Sequence, residues 1–122
     1  NLAFAPRAEL AAPALADILA LDDASFRQVF AGSPIKRIGR DRMVRNALIA
    51  AGNSGDAALL GRVRALLGDD AALVRGAAVW ALLRLNAAAF AVERAARSAG
   101  EGDPGVRAEW GEPVVPSLAG AA

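Results

Sequence analysis

Val44-Arg45-Asn46-Ala47, Val74-Arg75-Gly76-Ala77 and Val106-Arg107-Ala108-Glu109 are three versions of one short pattern, set 30 and then 32 residues apart. An aspartate stands upstream of each, at Asp41, Asp70 and Asp103. A period of this length marks a chain built from stacked supersecondary units, each burying its apolar face only against a neighbour. It is too long for a coiled-coil heptad, and it lacks the Thr-Pro-Leu-His of ankyrin repeats and the Trp/Tyr/Pro spacing of tetratricopeptide repeats. A two-helix unit fits it. In such a unit the Asp caps a helix N-terminus. The Arg, about one turn further in, pairs with that Asp or with its counterpart in the adjacent repeat. Arg75 and Arg107 are therefore expected to be rungs of a structural ladder.

The composition agrees with helices. Apolar residues make up 55% of the 122 positions and aromatics only 5%, so the core has to come from Ala, Leu, Val and Ile. Ala and Leu are the best helix formers, and Ala lets helix axes approach closely. Breakers and caps predict helices over 14–21, from Asp22 or Asp23 to about residue 31, 41–51, 56–67, 71–85, 87–99 and 106–110. Asn86 is expected to cap the sixth of these. The whole is an all-α chain of short HEAT-like (PBS-lyase type) helical repeats, an α-solenoid. Its expected organisation is a joining segment at 1–12, the repeat domain at 13–111 and a flexible C-terminal tail at 112–122.

Rotating the helices at 100° per residue assigns their faces. Val44, Ala47, Leu48 and Ala51 share one side of their helix, and Arg42, Arg45, Asn46 and Ile49 share the other. The helix over 71–85 is apolar nearly all round, as a middle repeat covered by neighbours requires. Trp80 is expected in the core and Trp110 at the end of the stack. Leu21, Phe26 and Phe30 are expected to be exposed where the chain is cut from a partner.

Absences exclude much chemistry. The chain has no Cys and no His, which removes disulfides, thiolate ligands and Ser-His-Asp or Cys-His catalysis. Glu93, Glu101 and Glu109 show no pairing that suggests acid/base work and are expected to be solvated. The longest apolar run, Ala77 to Leu83, is far short of the roughly 20 residues that span a bilayer, so a soluble chain is expected. It is also expected to be cytoplasmic and a monomer. The first residues, Asn1-Leu2-Ala3-Phe4-Ala5, carry neither an initiator Met nor an export signal and read as the middle of a longer chain.

The net charge of +1 is unevenly spread. Lys36, Arg37, Arg40, Arg42 and Arg45 face only Asp41, a local excess of +4 at a loop-to-helix junction. A phosphate backbone rewards such a cluster through counterion release and bidentate Arg contacts, and helix N–H groups near Gly39 or Arg40 would add donors. The alternative is a solvated charged face with one Arg committed to the ladder. With no aromatic expected nearby, contacts to a nucleic-acid backbone rather than to bases are expected.

The stretch from Gly32-Ser33-Pro34-Ile35-Lys36-Arg37 through Arg45-Asn46-Ala47-Leu48-Ile49-Ala50-Ala51-Gly52-Asn53-Ser54-Gly55 resembles the C-terminal region of the epoxyqueuosine reductases. The likeness continues through Leu73 to Leu82 and Val106 to Trp110, and the opening five residues resemble the segment after that family's last Cys-Pro-Trp. Met43 stands where a bulkier residue such as Phe is common, and residues 86–101 depart most. The resemblance implies an oxidoreductase parent that makes queuosine in tRNA, with cobalamin and two 4Fe-4S clusters bound by a catalytic module upstream. It implies that the repeats pack on that module and help hold the tRNA anticodon stem-loop. Lys36, Arg37, Arg40, Arg42, Arg45 and Asn46 occupy the family's basic motif as RNA-binding candidates; no catalytic, metal or cofactor ligand is carried over. The competing expectation is a HEAT-like protein–protein scaffold with no RNA role.

Overall fold

The computed structural model describes residues 12–34 and 39–111. Among them are seven α-helices and no strand: α1 (Ala12–Leu19), α2 (Asp23–Val29), α3 (Arg40–Ser54), α4 (Leu60–Ala65), α5 (Ala72–Leu85), α6 (Ala87–Arg97) and α7 (Pro104–Glu109). The chain is all-α over this range. Short 3-10 turns at Ala57–Leu59 and Leu66–Gly68 flank α4, and another, Ser98–Gly100, follows α6.

Side-chain caps start three of the described α-helices, α2, α6 and α7. Asp22 accepts from the Ser25 backbone N–H at 2.8 Å while the Asp22 N–H donates to Ser25 Oγ, a reciprocal capping box at the start of α2. Asn86 accepts from the Ala89 N–H, and Asp103 accepts from Val106 with Pro104 at the first helical position. Of the three repeat aspartates, only Asp103 caps as expected. Asp41 lies inside α3, whose cap position is Gly39 at φ 83°, and it is Asp69 rather than Asp70 that accepts from Ala71 N–H.

α3, α5 and α7, the helices that carry the three Val-Arg pairs, lie side by side in one layer. α4 and α6 pack against α5 from the other side, and α1 and α2 close the α3 end. Val44, Ala47, Leu48 and Ala51 of α3 are buried in the same core as Val74, Ala78, Val79, Ala81 and Leu82 of α5 and Val106 of α7. Trp110, 2% exposed, closes the far end with its ring 5.3 Å from Phe90. Met43 is half-buried against the core, so the smaller side chain is accommodated.

Two expectations about burial are corrected. Leu21, Phe26 and Phe30 are buried, with the two Phe rings 4.9 Å apart, because α1 and α2 fold back onto α3. α5 is not covered all round: Leu73 and Leu83 are 45% and 48% exposed, since only its inward arc meets neighbours.

Helix α3 runs three residues past the expected stop at Ala51 and ends at Gly55, φ 69°, in the left-handed region that glycine tolerates. Gly52 is no breaker. A Cβ there would lie 2.7 Å from a Trp80 ring carbon and 3.1 Å from the Ala81 Cα, so the missing side chain lets α5 approach α3. Gly61, in α4, faces open space. We expect Gly52→Ala to destabilise the fold by about 1–2 kcal/mol, crowding outweighing helix propensity. Gly61→Ala should instead stabilise it by about 0.5–1 kcal/mol. Urea unfolding of the two variants measures both, and equal signs would refute the close-packing account.

Candidate nucleic-acid interface

The basic segment separates into side chains already committed within the fold and side chains that remain available. Lys36 and Arg37 lie outside the described residues. Arg40, at the first turn of α3, is committed: its Nη1 and Nη2 donate to both carboxylate oxygens of Asp69 at 3.0 and 2.7 Å, and its Nε donates to the Leu21 carbonyl at 2.8 Å. The side chains of Arg40 and Asp69 are 12% and 13% exposed. One guanidinium thus ties the turn between α1 and α2, the start of α3 and the loop before α5. Its bidentate geometry is the strong form of the interaction.

The next rung repeats this one. Arg75 Nε and Nη2 donate to Glu101 at 3.0 and 2.9 Å, while Nη1 donates to the carbonyls of Asp69 and Asp70. Glu101 also accepts from Asp103 N–H, two residues on, as Asp69 does from Ala71. On the other layer Arg64 and Arg97 share Glu93. The ladder exists, with Asp69 and Glu101 as rungs in place of the expected aspartates, and Glu93 and Glu101 are ion-paired rather than merely solvated. Arg107 makes no ion pair among the described residues.

Arg45 occupies the same place in α3 that Arg75 occupies in α5, yet Asp69, which would answer it, is held by Arg40. Arg45 is exposed, as are Arg42 and Asn46, and neither arginine makes an ion pair among the described residues. Arg42, Arg45, Asn46 and Ile49 follow helical spacing along one stripe, so the structure brings three of the six candidates together and gives Arg40 a different task.

That stripe runs into a groove of ≈ 550 Å³ across α3, α5 and α7, lined by Arg45, Ile49, Leu73, Gly76, Trp80 and Glu109 among others. Trp80, expected in the core, is half-buried on the floor of the groove, and the Arg84 guanidinium sits 4.9 Å from its ring centroid. Sequence reading missed this surface because an indole on an apolar helix looks like core. The Trp80/Arg84 spacing of four was the available signal. Among the described residues no group of three His, Cys, Asp or Glu side chains could hold a metal ion, and no helix is long and apolar enough to cross a membrane.

Comparison with known proteins gives the context of this surface. No family model and no solved structure matches the chain. It is 41% identical over 87 residues to the epoxyqueuosine reductase of Alicycliphilus denitrificans, covering 65% of this chain and 24% of that protein. It is 38% identical over 80 residues to that of Xanthomonas campestris, covering 65% and 22%, and 43% identical over 51 residues to that of Escherichia coli, covering 42% and 14%. The chain is homologous to epoxyqueuosine reductase. It spans about a quarter of the length of the first two epoxyqueuosine reductases and less of the third.

The ladder fixes how stability depends on pH. The Arg40 hydrogen bonds hold Asp69 below its ordinary 3.8, those of Arg75 hold Glu101 below 4.5, and those of Arg97 and Arg64 do the same for Glu93. A depressed folded-state value gives stability that is whole above the unfolded value and lost as the pH falls through the folded one. Thermal melts should therefore show stability falling from roughly pH 5 downward, with a shallower fall in Asp69→Asn. At pH 7, Arg40→Met alone should cost about 2–3 kcal/mol, because it leaves Asp69 unpaired in a largely buried site. A fall of equal steepness in Asp69→Asn would contradict the assignment.

Proposed function

We propose that this chain is an RNA-docking module of short HEAT-like repeats, the C-terminal part of an epoxyqueuosine reductase, in which the exposed stripe of α3 binds the phosphate backbone of the tRNA anticodon stem-loop. One observation carries the reading: Arg42 and Arg45 stand exposed beside Asn46 with no ion pair among the described residues, while the neighbouring ladder arginines, Arg40 and Arg75, are held by carboxylates. Lys36 and Arg37 precede this stripe in the chain.

In this reading Arg42 and Arg45 neutralise phosphates and Asn46 offers an amide hydrogen bond. Arg40 fixes the position of the α3 start that presents them. Reduction of epoxyqueuosine to queuosine belongs to the rest of the parent protein. With no cysteine, this chain supplies no thiolate for either 4Fe-4S cluster, and no residue of it is assigned to cobalamin. Homology to enzymes named epoxyqueuosine reductase supports tRNA as the partner. The scaffold reading, a protein-binding module with no RNA role, draws on the exposed apolar side chains Leu73 and Leu83.

Filter binding of a tRNA anticodon arm across a salt series separates the two. Affinity should fall as salt rises, and the slope of log K against log salt should shrink by about 0.7–0.9 for each phosphate that Arg42→Gln or Arg45→Gln leaves without its cation. Binding that is absent, or a slope that neither substitution changes, would favour the scaffold.

A further inference from the structure

Between α3, α5 and α7 the groove is open because small residues line it. Gly76 and Gly105 contribute no side chain, and a Cβ added at Gly76 would meet Val106 and Glu109 only at ordinary contact distances of 3.8 and 3.9 Å. Its floor is apolar and incompletely covered, with Trp80 half-buried and Leu73 exposed. A volume of ≈ 550 Å³ is within the range of small-molecule sites, which suits one nucleotide and not a duplex.

Charge gives the groove a direction. Arg45 lies both in the cationic stripe and in the groove lining. Asp103 and Glu109 line the groove from the α7 side. A phosphate is drawn to Arg45 and repelled by these carboxylates, which leaves the apolar floor to whatever the phosphate carries. Arg84, exposed and outside the groove lining, already covers one face of the indole with its guanidinium 4.9 Å from the ring centroid, so a base would stack on the indole surface that faces the groove. An aromatic face with a cationic approach is how unpaired nucleotides are held without sequence reading.

We propose that this groove seats one unpaired nucleobase of the docked RNA, stacked on Trp80, with its phosphate at Arg45. The proposal rests on the RNA reading above. It replaces the expectation of backbone contacts alone with one stacked base, and it makes the module selective for single-stranded or looped RNA over duplex.

The test uses the 122-residue chain carrying Trp110→Phe, so that Trp80 is the one indole. Its fluorescence is followed during titration with a single-stranded RNA oligonucleotide and with the same sequence fully paired. The single strand should quench the indole and the duplex should not. In the otherwise intact chain, Gly76→Leu fills the groove and should weaken single-strand binding about tenfold while keeping the salt slope. Salt-dependent binding with no quenching, equal quenching by duplex, or unchanged affinity in Gly76→Leu would overturn the base site and leave the RNA reading standing. No binding of either RNA by the intact chain would overturn both.

Discussion

The bidentate pair between Arg40 and Asp69 joins three parts of the chain that the sequence separates: the turn between α1 and α2 through the Leu21 carbonyl, the start of α3, and the loop that launches α5. With both side chains largely out of water, neither can lose its partner cheaply. The equivalent bond one repeat later, Arg75 to Glu101, holds the loop before α7 in the same way. These rungs set the register in which α3, α5 and α7 lie side by side, and Gly52 allows the first two to come close.

The irregularity of the ladder is what gives the surface its character. A strict repeat would have paired Arg45 with Asp69, as Arg75 pairs with Glu101. Because Arg40 reaches Asp69 instead, the Val-Arg signature survives in α3 with its guanidinium unspent. A structural motif and a cationic surface thus come from the same short pattern, differing only in which arginine finds the carboxylate. Arg45 and Trp80 line the same groove, so charge and apolar surface meet at one place.

Much of the fold was legible beforehand. Period, caps at Asp22, Asn86 and Asp103, and the α3 face assignment all follow from local rules that tertiary packing did not override. Gly52 misled because a glycine needed for helix approach and a glycine that ends a helix look alike in one dimension. Trp80 misled for a related reason: helical periodicity tells which residues share a face, but not how far the neighbouring helix extends over it. In the candidate site, the separation of Arg40 from Arg42 and Arg45 could not be read from the run of basic residues. It depends on the bidentate bond to Asp69, 29 positions along the chain, with one further hydrogen bond from Arg40 Nη1 to the adjacent Asp41.

The division of labour among these arginines is open to a direct measurement. Replacing the whole pair, Arg40→Met with Asp69→Leu, keeps the net charge and leaves no carboxylate at position 69 for Arg45 to turn to. The salt dependence of single-stranded RNA binding is then compared with that of the unaltered chain. If Arg40 only holds the scaffold, the folded double variant binds with the same slope. A slope lower by about 0.7, the value of one phosphate contact on a single strand, would show that Arg40 itself meets the RNA and contradict the assignment made here.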